Sequence, residues 1–156
     1  MPEVLVTVFS ATGNTLRKGE EIASALQVPL FLLEPQISYT QADLNWNDPQ
    51  SRTSLECNDP YSRPPLKVLP DVRAYDVIFL GFPIWWYCEP KLIDTFVESS
   101  DLSGKTLILF ATSGGSGLVR ATRQIQTLAP GARILQGELL NGRKGGAWAK
   151  EFLERL

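Results

Sequence analysis

Apolar runs alternate along the chain with segments in which apolar residues recur at helical spacing. The runs are continuous, which indicates strands that are buried on both faces of a parallel sheet. The predicted strands are Val4–Phe9, Leu30–Leu33, Val77–Gly81, Thr106–Ala111 and Arg133–Leu135. The predicted helices are Thr15–Leu26, Lys91–Glu98, Leu118–Leu128 and Ala147–Leu156. This alternation predicts an α/β fold, a doubly wound three-layer sandwich around a five-stranded parallel sheet.

One long segment, at about residues 35–75, interrupts the alternation. Its prolines break any long helix, so we predict only short helical turns there, near Thr40–Leu44. We interpret residues 1–156 as a single domain that carries this irregular insertion. A connection of such length in a compact domain is usually functional or covers a surface. We hypothesise that Trp46 or Arg52 packs at the rim of a ligand site.

A hydroxyl-rich turn joins the first predicted strand to the first predicted helix. It consists of Ser10, Ala11, Thr12, Gly13, Asn14 and Thr15. Backbone N–H groups at a helix start lack intrahelical acceptors, and the helix dipole places partial positive charge there, so the turn favours a phosphate. The turn contains no Lys or Arg, which indicates a phosphate held by oriented dipoles. Ordinary helix capping by the same hydroxyls is the alternative interpretation.

Three consecutive aromatic residues follow the third predicted strand, at the sheet end that also carries the hydroxyl-rich turn. The candidate binding residues of this segment are Pro83, Ile84, Trp85, Trp86 and Tyr87. Aromatic side chains bury large areas and stack on planar π systems, so the segment predicts contact with a flat ring. Packing of these side chains against the following helix and its neighbours is the alternative interpretation.

A glycine-rich segment follows the fourth predicted strand at the same sheet end. Its candidate binding residues are Thr112, Ser113, Gly114 and Gly115. The glycines allow backbone amides to approach a ligand closely, and Thr112 and Ser113 would lie nearest to it. The alternative is a further helix start at which Ser116 is the cap.

Together the three segments resemble the flavodoxin family, above all in Ser-Ala-Thr-Gly-Asn-Thr and in Gly-Phe-Pro-Ile-Trp-Trp-Tyr. The resemblance implies the strand order 2-1-3-4-5, of which flavodoxin is a standard example, with the ligand between the ends of strands 1 and 3. It also implies FMN as the cofactor. The hydroxyl-rich turn would then hold the phosphate, an aromatic residue would lie against the isoalloxazine ring, and the glycine-rich segment would contact the ribityl chain and the polar ring edge.

The composition of the chain limits the partners, the compartment and the chemistry that it can have. The chain has 156 residues, 44% of them hydrophobic and 21% charged, which is typical of one soluble domain. A net charge of −2 without a basic run predicts no nucleic-acid partner, and no apolar run approaches membrane-spanning length. Two cysteines and no secretion signal before the first strand favour the cytoplasm. The absence of histidine excludes triad hydrolysis and His-containing zinc sites, so we predict no catalytic residue and no metal ligand.

A bound flavin leaves two functions open. As the resemblance implies, an electron carrier would exchange electrons with redox partner proteins, reductases or oxidoreductases, through an exposed ring edge, and it needs no catalytic acid or base. The alternative is an FMN-dependent NAD(P)H:quinone-type oxidoreductase, which requires a pocket above the ring that residues 35–75 would help to build. A binding module without a redox role is a third class, marked by failure to bind FMN. We expect a monomer or a weak dimer.

Overall fold

A five-stranded parallel sheet forms the centre of the computed structural model, which describes residues 2–113 and 117–156. The strands are β1 (Val4–Val8), β2 (Leu30–Leu32), β3 (Val77–Pro83), β4 (Thr106–Thr112) and β5 (Arg133–Leu139). Their order across the sheet is β2-β1-β3-β4-β5, and each neighbouring pair is parallel. The predicted fold class and strand order are confirmed.

Helices cover both faces of this sheet. Those in the described residues are α1 (Asn14–Leu26), α2 (Arg52–Asn58), α3 (Lys91–Ser99), α4 (Val119–Leu128) and α5 (Gly145–Glu154). Ile22 of α1 and Trp148 of α5 pack with Phe79 in one buried cluster. Phe96 of α3 and Ile125 of α4 belong to the cluster on the opposite face. Successive residues of the central strands therefore enter different cores, which explains why β1, β3 and β4 are almost continuously apolar.

The carboxyl ends of β1, β3 and β4 lie side by side at one edge of the sheet. The register pairs Val8 with Gly81 and Pro83 with Thr112. Because all connections between these strands are crossovers, the segments that leave their carboxyl ends emerge together. The three candidate binding segments therefore begin at neighbouring positions.

The insertion is more regular than predicted. Residues 41–44 form a turn, as expected, with the Leu44 N–H donating to the Thr40 carbonyl at 3.2 Å. Helix α2 was not predicted, although Ser51 caps it by accepting from the Ser54 N–H at 3.3 Å. The start of the insertion meets its later part in an antiparallel bridge between Pro35 and Leu66.

Strand β5 is longer than the predicted Arg133–Leu135 and ends at Leu139. The added residues bring a register shift opposite Leu109 and Phe110. A Cβ at Gly137 would collide with the carbonyl oxygen of Leu109, so glycine is required where the strands come this close. In the part of the chain that the structure describes, no helix has the length and the apolar composition to cross a membrane.

Candidate functional site

The hydroxyl-rich turn leaves the start of α1 open. No side chain caps this helix, whose N-cap is Gly13 with φ 94°. Glycine adopts this left-handed conformation without strain. Ser10 Oγ accepts from the Gly13 N–H at 3.0 Å and so stabilises the turn itself. Among the described residues no side chain therefore caps the amides of the first helical turn, which are suited to an anionic ligand.

Hydrogen bonds of Thr112 and Ser113 join the described part of the glycine-rich segment to its neighbours. Thr15 Oγ1 and Thr112 Oγ1 are 2.7 Å apart, so the first and third candidate segments are linked directly. Ser113 donates its N–H to Asn141 Oδ1 at 2.9 Å and accepts from Asn141 Nδ2 at 2.7 Å. Asn141 follows β5 and thereby fixes the backbone at Ser113. Gly114 and Gly115 lie outside the described residues.

The residues Trp85–Cys88, which we call the aromatic turn, form a tight hairpin. Trp85 and Cys88 exchange backbone hydrogen bonds of 2.9 and 3.0 Å, and the central residues Trp86 and Tyr87 have φ values of 49° and 67°. Positive φ at both central positions is the signature of a type I′ turn, which normally contains Asn or Gly there. For other residues this conformation costs roughly 1–2 kcal/mol each. The surrounding structure must hold the aromatic turn in place.

The three aromatic side chains of this segment have different surroundings. Trp85 packs edge-on against Phe9 at 5.8 Å and against Tyr39 at 5.6 Å, measured between ring centroids. Trp86 and Tyr87 are 38% and 62% exposed. Trp85 therefore supports the segment, whereas Trp86 and Tyr87 offer accessible ring surface to a ligand.

The insertion supports the aromatic turn through Tyr39. The Arg52 guanidinium lies 3.8 Å from the centre of the Tyr39 ring, and the Tyr39 hydroxyl donates to Glu56 at 2.6 Å. Arg52 also pairs with Glu56 at 3.0 Å. Burial and the contact with Glu56 raise the pKa of Tyr39 well above its ordinary value, so it stays a neutral donor. Arg52 thus acts behind the site through Tyr39.

Two adjoining cavities occupy this end of the sheet. The larger has a volume of about 690 Å³ and is lined by Ala11, Thr12, Leu44, Trp46, Thr53, Pro83, Ile84, Trp85, Trp86, Tyr87 and Ser113. The smaller has about 520 Å³ and is lined by Thr12, Asn14, Arg17, Lys18, Pro83, Ile84, Trp85, Thr112, Ser113, Asn141 and Gly142. Shared lining residues join them into one cleft. Its aromatic end suits a planar group, and its polar end, beside the start of α1, suits an anion.

Most of the candidate residues that the structure describes line this cleft, and the other described candidates lie directly behind it. Ser10, Gly13 and Thr15 are absent from its lining but stabilise the hydroxyl-rich turn and its link to Thr112. All three aromatic residues line the larger cavity, and Trp85 in addition packs against the core cluster that contains Leu92 and Ile93 of α3.

Sequence comparison places the chain in a family. The flavodoxin family pattern matches residues 3–156. The chain belongs to the flavodoxin family. The match extends over nearly the whole chain, which confirms the resemblance inferred from the three segments. The comparison with curated proteins gives no match.

Solved structures of flavoproteins have the same fold as this flavodoxin-family chain. A candidate flavoprotein from Bacteroides eggerthii is 40% identical with a TM-score of 0.93, over 99% of this chain and 98% of that one. A second candidate flavoprotein, from Bacteroides uniformis, is 42% identical with a TM-score of 0.90, over 97% and 98% of the two chains. A flavoprotein from Lactobacillus acidophilus, solved in complex with FMN, is 17% identical with a TM-score of 0.68, over 91% and 95%. This last likeness concerns the fold alone.

Sequence reasoning missed several residues of the cleft. Leu44 and Thr53 of the insertion form part of its wall, beside Trp46, which the sequence analysis had already considered. Arg17 and Lys18 lie one turn into α1 and bring positive charge to the polar end. The turn itself contains no cation, but the cavity beside it does. Asn141 had a recognisable signal, because Asn141-Gly142 is a turn sequence directly after the last strand.

Proposed function

We propose that this flavodoxin-family protein binds FMN and acts as an electron-transfer protein. The observation that carries the proposal is the single cleft with an uncapped helix start at one end and accessible aromatic rings at the other. FMN has the matching shape, since a phosphate terminates a chain that begins at a planar ring. The structure of a fold relative in complex with FMN supports the choice of this cofactor.

The residues present fit FMN in three groups. The first-turn amides of α1 with Thr12 and Asn14 would hold the phosphate, and Arg17 and Lys18 would add positive charge. Trp86 and Tyr87 would contact the ring. Thr112 and Ser113 would position the ribityl chain, which joins the phosphate to the ring. FMN, when bound, supplies the redox chemistry of the site.

The chemistry of the cleft favours electron carriage over acid–base catalysis. The described residues that line it include no carboxylate, histidine or thiol. A carrier needs no such group, but it needs a rim that a partner can approach. Trp46 and Tyr87, 67% and 62% exposed, form such a rim. We therefore propose reductase or oxidoreductase proteins as partners, with a monomer or weak dimer in the cytoplasm as the working form.

One observation favours a second candidate, an FMN-dependent NAD(P)H:quinone-type oxidoreductase. Leu44, Trp46 and Thr53 extend the larger cavity to about 690 Å³. A wall of this kind would shape a compartment for a small planar substrate beside the ring. The carrier makes no use of such a compartment.

Reconstitution with FMN followed by anaerobic stopped-flow mixing tests the proposal. We expect tight binding, negligible reduction by NADH or NADPH, and reversible reduction by an artificial donor. Fast reduction by a pyridine nucleotide would establish the oxidoreductase instead. A protein that is colourless after excess FMN has been removed would exclude both functions. The remaining interpretation would be a binding module without a redox role.

A further inference from the structure

Two buried acids lie at the junction between the aromatic turn and α3. Glu89 and Asp94 are both 0% exposed. Pro90 is the N-cap of α3, so Glu89 is the residue before the cap and Asp94 is the fourth helical residue. Side chains at these two positions contact each other across the helix start, usually as an apolar pair. In this protein the pair consists of two carboxyl groups.

Three oxygens of this pair lack a conventional partner. Neither side-chain oxygen of Glu89 nor Oδ1 of Asp94 has a hydrogen-bond partner among the described residues. Leaving buried carboxyl oxygens unsatisfied is costly. A proton on one carboxyl group resolves this, because an O–H on either acid can donate to the other.

The surroundings assign the negative charge to Asp94. Its Oδ2 lies 3.8 Å from Arg63 Nη1 and 3.9 Å from Lys91 Nζ, and Gln124 Nε2 is at 3.5 Å. Asp94 also lies in the first turn of α3, where the helix dipole favours an anion. Asp94 is therefore the acceptor of the pair.

Glu89 is the protonated member. Burial raises the pKa of Glu89 to about 9, the charge of Asp94 acts in the same direction, and the charge of Lys91 acts against it. The other titratable or charged groups that face this region are Cys57, Arg63, Cys88, Glu98 and Arg120. Arg63 is shared between Asp94 and Glu98. At neutral pH Glu89 thus carries an O–H that can donate to Asp94.

We propose that protonated Glu89 is a positioning residue, whose hydrogen bond to Asp94 fastens the aromatic turn to α3 and holds Trp86 and Tyr87 at the cleft. The strained backbone of Trp86 and Tyr87 requires such a support, and Glu89 follows the turn directly. Loss of the proton places two anions in one buried site, and their repulsion releases the turn. The consequence for FMN affinity rests on the proposed function, whereas the effect on the turn does not.

The first experiment follows the full chain without FMN by near-ultraviolet circular dichroism and tryptophan fluorescence, from pH 6.5 to 10.5. Wild type shows a transition in the alkaline part of this range. Glu89→Gln keeps a donor to Asp94 but cannot ionise, so it has the wild-type spectrum at neutral pH and lacks the transition. Tyrosine ionisation occurs in both proteins and cancels in the comparison. Glu20→Gln, on the exposed face of α1, is the matched control and titrates like wild type.

Glu89→Leu removes the donor, and its spectrum differs from that of wild type at neutral pH. Since this variant could fail to fold, Glu89→Gln decides the outcome. Identical titrations of wild type and Glu89→Gln overturn the proposal. A Glu89→Gln spectrum that already equals the alkaline wild-type spectrum at pH 7 overturns it as well, because the amide donor would then provide no support.

The second readout is the dissociation constant for FMN. We expect it to rise about tenfold more in wild type than in Glu89→Gln between pH 7 and 10, which corresponds to about 1.4 kcal/mol. Ionisation of FMN itself affects both proteins equally. If neither binds FMN, the proposed function fails while the apo-protein transition still tests the role of Glu89. If both bind FMN with the same pH dependence, the proposed function survives and the role of Glu89 does not.

Discussion

The hydroxyl-rich turn and the aromatic turn both use left-handed backbone, but they achieve it in opposite ways. The first has glycine at its left-handed position, Gly13, where the conformation is unstrained. The second places Trp86 and Tyr87 there, so that local strain accompanies each ring at the cleft. The backbone conformation of the hydroxyl-rich turn consequently needs no support against local strain. The aromatic end depends on distant supports, namely Tyr39 of the insertion and the acid pair at α3.

The largest expected effect is that of Gly13→Val. A β-branched residue at φ 94° is strained although no atom lies within 4 Å of its Cβ, and the strain displaces the first-turn amides. We expect FMN affinity to fall about 100-fold, as for the loss of two hydrogen bonds of ~1.5 kcal/mol each to a charged group. Isothermal titration calorimetry measures it. Gly104→Val is the matched control, with φ 77° and equally open surroundings remote from the cleft. Equal affinities of the two variants would contradict this role of the hydroxyl-rich turn.

A double variant, Trp86→Asn with Tyr87→Gly, replaces both central residues of the aromatic turn. It should change the stability of the protein and its affinity for FMN in opposite directions. Asn-Gly suits a type I′ turn, so the free energy of unfolding should rise by about 1 kcal/mol. FMN affinity should fall about tenfold because the aromatic contacts are lost. Urea denaturation and fluorescence titration measure the two quantities. The control Trp86→Phe with Tyr87→Phe keeps the rings and should bind nearly as wild type. A double variant that is less stable than wild type would show that the turn is not strained.

The two turns should also differ in their response to pH. The raised pKa of Glu89 means that the folded state retains a proton that the unfolded state loses at moderately acidic pH. The stability from this group is present at low pH and is lost as the pH rises to about 9. Relative to Glu89→Gln, wild type should lose at least ~1.4 kcal/mol of unfolding free energy between pH 5 and 9.5, one pKa unit of differential interaction. Chemical denaturation across this range measures it. The control is Gly13→Ala, which lies in a turn without titratable groups. Its free energy of unfolding should differ from that of wild type by the same amount at every pH in this range.

The smallest expected effect concerns the wall that the insertion adds. Trp46 and Tyr61 are exposed aromatic residues of the insertion, 67% and 86% respectively, but only Trp46 lines the cleft. Substitution of either by Ala should change stability and FMN binding by no more than ~0.5 kcal/mol. If the chain is an oxidoreductase, Trp46→Ala alone alters the steady-state KM for a quinone. Equal KM values for the two variants would assign the wall no part in substrate binding.

The fold was largely predictable because the central strands are continuous apolar runs bounded by turns. β5 was predicted too short because Gln136-Gly137-Glu138 is polar, and this strand lies at the sheet edge with mostly half-buried residues. Helix α2 was missed because prolines flank it closely, although Ser51 provides a cap signal. Edge strands and short helices depend on tertiary contacts more than on their own sequence.

The candidate site was predictable where binding residues directly follow strands. The cleft wall from Leu44, Trp46 and Thr53 depends on how the insertion folds back, which no local pattern encodes. The acid pair was likewise invisible, since nothing in the sequence distinguishes a buried Glu89 from an exposed glutamate. Its burial follows from the packing of α3 against the sheet.

Because Pro35 and Leu66 form a bridge, the part of the insertion that lies between them can be exchanged as one unit. Gln36 donates to the Pro65 carbonyl at 2.9 Å, and Lys67 donates to the Glu34 carbonyl at 2.8 Å, so entry and exit points are neighbours. A segment whose ends already meet can be shortened, lengthened or transplanted without moving the strands that it joins. Evolution or design can thus change the wall of the cleft by exchanging one segment, while the hydroxyl-rich turn stays the same.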